Sequence, residues 1–427
     1  MDSVGLANTV YRETAAELTL AAPLEGAHRI DFAVVGAGIT GLSTALHLAE
    51  AGHQVAVLEA HEPGWGASGR NGGQLNPGLK YDPDDIVRQF GAALGTRMVE
   101  FGWSSTEFTL ALIQRLGIDC DARQNGTLRA APNAHAGRSI NRTLEQSARW
   151  GMPVEALGPA AMAELTGTDR YGCGLLDRRG GDLNPLKYVR GLAHAVANAG
   201  GHIFPHSQAL SLKRLGDGWD IRTGGGRVLA SQVLIATNGY TGALWPGLAQ
   251  SLVPVYSAIA ATEPLPPALA AGILPGRQVA FETGRITVYY RIDSQGRLLM
   301  GGRGPMRPIH SPAPLDNLTG YARALWPQLS HVQWTHGWNG QVAITPDHHL
   351  HVHEPAPGLT ACVGYNGRGV ALATAMGKVL AEHMAGADRD QFPMPFSPIK
   401  PMRFHRFWPV GVQLAIVSGR VKDRLGF

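Results

Sequence analysis

Charge is scarce in this chain and evenly spread. Only 16% of its 427 residues are charged, and 37 basic against 33 acidic side chains leave a formal net charge of +4. No basic run interleaved with aromatics occurs, which argues against a nucleic-acid binder. Cysteine is rarer still. Cys120, Cys173 and Cys362 are odd in number and far apart, so neither a disulfide framework nor a zinc site is expected, and a reducing cytoplasm is. Long apolar runs are missing too. No stretch reaches the length of a membrane span, and residues 1–29 carry Asp2, Glu13 and Glu17, which argues against a signal peptide. Internal repeats and low-complexity segments are also lacking. Glycine and proline, in contrast, are plentiful: 55 and 28 imply many turns, and the length suits two intertwined domains with a sizeable core.

The most informative stretch is Asp31-Phe-Ala-Val-Val-Gly-Ala-Gly-Ile-Thr-Gly, followed by Gln54-Val-Ala-Val-Leu-Glu. Ile30 to Val35 read as a buried strand. Leu42, Ala45, Leu46 and Ala49 recur at helical spacing until Gly52 ends the helix. A second strand ends at Glu59, 23 residues after Gly36. This is a dinucleotide-binding βαβ unit. Gly36 permits the tight turn, Gly38 lets the backbone approach a pyrophosphate, and Gly41 lets helix and strand pack closely. The helix start at Ile39 and Thr40 then presents free N–H groups to phosphate, and Glu59, with Ala60 beside it, is placed to accept ribose hydroxyls.

Directly after the acid comes Gly64-Trp-Gly-Ala-Ser-Gly-Arg-Asn-Gly-Gly-Gln, a loop of small residues with one hydroxyl and one Arg. A second phosphate contact from Gly66, Ala67, Ser68, Arg70, Asn71, Gly72, Gly73 and Gln74 suits a cofactor that stays bound. With Ile118-Asp-Cys-Asp, Asp169-Arg-Tyr, Leu176-Asp, Gly180-Gly, Tyr289-Tyr-Arg, Gly364-Tyr-Asn-Gly-Arg-Gly and Asp423-Arg-Leu-Gly, it gives the chain a nearly end-to-end resemblance. The sequence resembles the FAD-dependent amine and amino-acid oxidoreductases related to D-amino-acid oxidase and sarcosine oxidase, in the neighbourhood of γ-glutamylputrescine oxidase. The resemblance implies an α/β fold with a Rossmann-like FAD-binding domain of the glutathione-reductase type and an interleaved mixed β-sheet substrate domain. It also implies a bound FAD and oxidation of a carbon next to an amine nitrogen by hydride transfer to the flavin.

Along the chain, residues 1–29 read as an N-terminal extension. Residues 30–82, 150–245 and 340–395 are expected to form the FAD domain, 83–149 and 246–339 the substrate domain, and 396–427 a C-terminal segment. Val233-Leu-Ile-Ala-Thr-Asn-Gly-Tyr reads as a strand whose turn brings Thr237 and Asn238 beside the cofactor. The resemblance puts the later glycine turn, Gly364, Asn366, Gly367 and Arg368, at the flavin ring. A helix from about Val370, preceded by Gly369, offers a second positive helix end there. The sarcosine-oxidase branch carries a flavin-linking cysteine shortly before a Thr-Pro-Asp motif. Here Gly337-Trp-Asn-Gly-Gln-Val-Ala-Ile-Thr-Pro-Asp has none, so the FAD is expected to be non-covalent.

For catalysis, a neutral amine needs positioning more than acid–base machinery. A hairpin from Ile286 to Gly302 turning at Asp293-Ser-Gln-Gly would put Tyr289 and Arg291 on one face opposite Leu298 and Met300. Tyr289 and Arg291 are the expected substrate contacts, with Arg303 as a further carboxylate partner and Arg368 at the flavin edge. A loose alignment puts Met300 where sarcosine-oxidase-like enzymes carry an oxygen-activating lysine. Oxygen is therefore expected to be a poorer acceptor than quinones or dyes, unless Lys80 or Arg303 supplies the charge. Arg291, Arg303 and Arg368 would equally suit a cyclic secondary amino acid such as pipecolate or proline, and a non-catalytic FAD carrier would share the same glycine motifs. His348, His349, His351 and His353 lack carboxylate or thiol ligands at metal spacing, so no metal is expected. The apolar and basic run from Arg403 onward reads as a helix packed on the FAD domain or lying in an anionic membrane interface.

Overall fold

The computed structural model describes residues 9–18, 22–284 and 287–425. The dinucleotide unit forms as its pattern dictates: strand β1 (Gly26–Val35), helix α2 (Ile39–Glu50) and strand β2 (Val55–Leu58), preceded by a short helix α1 (Val10–Thr14). β1 starts earlier than expected, inside the N-terminal extension. Its second half, Phe32 to Val35, is buried on both faces because helices cover one side of the sheet and a β-meander the other. β1 lies between β2 and strand Gly226–Ile235, parallel to both, in a sheet that also takes in His202–Phe204, Leu359–Val363 and His351–Ala356. α2 packs on helix Gly369–Met384 through small residues. A Cβ on Gly377 would lie 2.3 Å from the Ser43 side chain, so nothing larger fits.

A second sheet of eight strands runs Trp334–Ile344, Val253–Thr262, Leu298–Arg303, Tyr289–Ile292, Val279–Glu282, Thr127–Ala131, Cys173–Asp177 and Val154–Leu157. It is mixed, since Val279–Glu282 runs parallel to Thr127–Ala131 while its other pairings are antiparallel. Two boundaries move. Residues 154–157 and 173–177, expected in the FAD domain, pair onto this second sheet, as do 340–344.

The hairpin register differs from expectation by one residue, and every side chain changes partner. Tyr289 pairs with Gly301, Tyr290 with Met300, Arg291 with Leu299 and Ile292 with Leu298. The cause is the turn. Asp293 N–H bonds the Arg297 carbonyl, leaving a three-residue loop, Ser294 to Gly296, in which Gly296 takes a left-handed φ of +78°. The Asp293 carboxylate closes it by accepting from the Gln295 and Arg297 N–H groups at 2.9 and 2.8 Å. With a period of two, one face carries Tyr289, Arg291, Leu299, Gly301 and Arg303, and the other Tyr290, Ile292, Leu298 and Met300. The second set is fully buried against Leu315, Leu318 and Trp326. The first faces the dinucleotide domain.

The chain ends in helix Trp408–Leu425, tethered through the Met402 N–H to the Gln250 carbonyl (2.9 Å) and His405 Nε2 to the Leu252 carbonyl (2.7 Å). Phe404, Phe407, Val410 and Leu414 remain exposed. Among the described residues no helix is long and apolar enough to cross a membrane.

Candidate flavin and substrate site

At the first turn Gly36 takes φ +107°, and a Cβ on Gly41 would lie 2.0 Å from the Gly36 carbonyl, so helix and turn meet backbone to backbone. α2 starts at Gly38 with no side-chain cap and no acid in its first turn, which leaves its N-terminus open to an anion. The Ser68 hydroxyl accepts from Ile39 N–H at 3.1 Å, bringing the second loop to that helix end. Glu59 is half-buried. Its carboxylate accepts from the Ala37 and His61 N–H groups at 2.8 and 2.9 Å; burial raises its pKa, and those two N–H groups oppose the rise. Ala60 follows it, half-buried. The Thr40 hydroxyl turns away to Tyr365 Oη at 2.7 Å, and Ile39 and Val370 pack into the core.

The second loop contains a 3₁₀ turn, Ala67–Gly69, and is wired by its own side chains. Asn71 accepts from Gly73 N–H (2.8 Å) and donates to the Ser68 carbonyl (2.8 Å), while Arg70 Nε donates to the Trp65 carbonyl (2.6 Å). Gln74 donates to the Ala280 carbonyl at 3.2 Å and so ties the loop to the second sheet. Gly72 and Gly73 are glycines for want of room. A Cβ on Gly72 would lie 2.8 Å from the Tyr289 ring, and one on Gly73 2.7 Å from the Arg291 guanidinium. Gly66 is closed off in the same way by Tyr240.

The third element joins Thr237–Asn238 to the Gly364–Gly369 turn. Asn238, at φ +42°, accepts from Gly364 N–H at 2.9 Å. Asn366 (φ +53°) commits its side chain to the neighbouring turn: its amide accepts from Thr345 N–H (2.9 Å) and donates to Thr345 Oγ1 (3.0 Å) and the His349 carbonyl (3.1 Å). Gly367 supplies the last left-handed step, and helix Gly369–Met384 opens uncapped at Arg368. Arg368 donates to the Pro77 carbonyl at 3.1 Å and lies over the Phe281 ring. Burial first, then the charge of Arg129, pull its pKa down to about 10. Two uncapped helix ends, a shielded acid and glycines whose Cβ would collide fit a long dinucleotide cofactor such as FAD.

On the sheet face turned toward these loops, Tyr289 Oη lies 3.0 Å from Ser257 Oγ. Arg303 shares that face, its pKa lowered by burial and partly restored by Tyr289. Lys80, exposed as a residue, falls to about 8, driven by partial desolvation of its ammonium and by the charges of Arg368, Arg303 and Arg129. His348 is pulled down by burial and by Lys80. Neither Lys80 nor Arg303 has a carboxylate partner among the described residues.

Two expected contacts go elsewhere. Arg291 is buried and fully engaged: it pairs with Asp182 at 2.7 Å and donates to the Gly72 and Leu183 carbonyls at 2.6 and 3.2 Å. Met300 lies on the opposite face, inside the core, away from Tyr289 and Arg303. The histidines are occupied locally, His349 by Gln89, His351 by Asp347 and His353 by the Ser397 carbonyl. Ser257, Asp182, Trp338 and Tyr11 were missed. Only Asp182 had a signal nearby, the Gly180-Gly pair.

Residues 31–383 match the family described as FAD dependent oxidoreductase. The chain is 33% identical to γ-glutamylputrescine oxidoreductase of Escherichia coli over 408 residues, 93% of each chain. It is 31% identical to the probable oxidoreductase OrdL of Rhizobium meliloti over 381 residues, 88% of each. Its fold superimposes on crystalline glycine oxidase from Geobacillus kaustophilus with a TM-score of 0.75 at 23% identity, covering 88% of this chain and 99% of the other.

Proposed function

Because the chain belongs to the family of FAD-dependent oxidoreductases, we propose that it oxidises the CH–NH bond of an amine that also carries a carboxylate, a γ-glutamylputrescine-like substrate. It is an FAD-dependent amine or amino-acid oxidoreductase. The observation that carries the narrower reading is Arg303, half-buried beside Tyr289, with the exposed Lys80 near it and no acid paired to either among the described residues. Cations gathered without an acid repel one another until an anion arrives, and the γ-glutamyl end of such an amine brings one.

FAD, when bound, supplies the two-electron acceptor. The glycine turn at Gly36, the α2 N-terminus, Ser68 and Glu59 would hold its pyrophosphate and ribose, and the Gly364–Arg368 turn its ring. No residue from Gly337 to Asp347 is a cysteine, which supports non-covalent attachment. Arg303 and Lys80 hold the carboxylate, and Tyr289, fixed by Ser257 and packed against Gly72 and Gly301, sets the angle at which the amine enters. Positioning supplies most of the rate when the amine reacts as its free base. Anaerobic mixing with an amine panel tests this: γ-glutamylputrescine should bleach the flavin and putrescine should do so far more slowly. Equal bleaching by putrescine would contradict the carboxylate site, fastest bleaching by proline or pipecolate would reassign the substrate to a cyclic amino acid, and no bleaching at all would point to a carrier.

A second reading concerns the C-terminal helix, for which we propose peripheral contact with an anionic membrane. Phe404 and Leu414 are 77% and 67% exposed, and the sequence from Arg403 to Arg424 holds five basic residues against one acid. Co-sedimentation with phosphatidylserine vesicles, lost when the protein ends at Pro401, supports it; full-length protein left in the supernatant refutes it.

A further inference from the structure

The carbonyls of four consecutive residues in the second loop all accept hydrogen bonds from elsewhere in the chain. Arg70 O accepts from Trp338 Nε1 at 2.8 Å, Asn71 O from Tyr11 Oη at 2.8 Å, Gly72 O from Arg291 Nε at 2.6 Å and Gly73 O from Leu183 N–H at 2.8 Å. Three come from the body of the two domains. The Tyr11 hydroxyl comes from α1, which precedes the residues matched to the family.

Tyr11 reaches this place as a core residue would. Val10 and Tyr11 are each 2% exposed and pack with Leu186, Ile259, Ala261, Leu299 and Trp338, where the two domains meet. The Tyr11 ring stands edge-on to Trp338 at 5.4 Å, and the Arg291 guanidinium lies over its face at 5.9 Å. The segment is anchored just after Tyr11, to both the second sheet and a helix of the first domain. Glu13 pairs with Arg297 and, at 3.0 Å, with His336 of the second sheet, while Arg190 of helix Pro185–Asn198 donates to the Ala15 carbonyl at 3.2 Å. A five-residue helix is too short to persist unaided, so these contacts determine its place.

We propose that Tyr11 is a positioning residue of the cofactor site: its hydroxyl fixes the Asn71 carbonyl and thereby the Gly66–Gln74 loop that contacts FAD. The inference rests on that loop being a cofactor contact. Fixing the Asn71 peptide from behind also fixes Gly72, whose Cα is packed on Tyr289, so the same hydroxyl sets the wall between cofactor and substrate.

The test is Tyr11→Phe in the holoenzyme, which keeps the ring packed on Trp338 and removes the hydrogen bond to the Asn71 carbonyl together with a long one, 3.5 Å, accepted from Arg291. FAD dissociation should accelerate about two- to tenfold, with a changed visible spectrum of the bound flavin. Val10→Ala is the control, because it loosens the same cluster without touching the loop: it should lower Tm and leave FAD release unchanged. Ser68→Ala separates the two readings, since slower or unchanged FAD release there would remove the loop from the cofactor site. Tyr11→Phe with wild-type FAD release and spectrum, or Val10→Ala matching it in both, would overturn the proposal and leave α1 a structural plug.

Discussion

Arg291 and Arg303 lie on the same face of the same sheet, the first buried and the second half-buried, and they differ most in what they meet. Arg291 meets an anion. Burial alone would push its pKa down, yet Tyr11 and Asp182 outweigh it and hold the guanidinium charged. Arg303 has only Tyr289 to offset its partial burial, and its pKa stays lowered. A buried cation with its counter-charge in place is architecture, and one left short of an anion beside a cofactor loop is a place for a ligand. The same contrast separates Arg123, paired with Asp182 at 2.7 Å, from Lys80, whose charged neighbours are all cations.

The strongest way to break this comparison is to remove the anion that makes Arg291 structural. Asp182→Ala leaves Arg291 and Arg123 unpaired at the junction of both domains, and should cost about 3–5 kcal/mol of unfolding free energy in urea titration. A loss below about 1 kcal/mol, the scale of an exposed pair, would make the two arginines equivalent and the distinction empty.

A smaller effect sharpens the other arm. Lys80 is pushed down to about 8, below the ordinary lysine value, because partial desolvation and its cationic neighbours disfavour the charged form. Charge for holding a carboxylate is therefore present below about pH 8 and fades above it, so KM for a carboxylated amine should rise as pH passes 8. Stability moves the opposite way: between about 8 and the ordinary lysine value the unfolded chain binds more protons, and this group's contribution to stability rises with pH. Lys80→Met should flatten the KM limb. A wild-type KM level across pH 8 would take Lys80 out of the site.

Sequence reading reached different depths in different places, for physical reasons. The Gly36–Gly41 turn, Glu59 and the strand and helix around them were legible because each local signal agrees with the others over a span of some thirty residues. Helix Gly369–Met384 appeared one residue from its expected start. The hairpin was harder. Its residues were recognised as strand, yet a turn one residue shorter than assumed moved Met300 from the flavin-side face to the core and gave Tyr289 a glycine as its partner. Period-two patterns cannot reveal such a slip when both faces are largely buried, as they are here. The strands at 154–157 and 173–177 were assigned to the wrong domain because pairing partners, unlike strands, leave no local mark. Tyr11 was invisible and Asp182 only faintly marked for a related reason: each acts on residues at least 57 positions away.

The most direct measurement is anaerobic flavin bleaching by γ-glutamylputrescine and by putrescine, each with wild type and Arg303→Met. A charge-assisted hydrogen bond to the carboxylate predicts about a 10- to 100-fold loss of kcat/KM for the carboxylated amine in the variant, with putrescine unaffected. An equal loss with both amines, or none with either, would contradict the account.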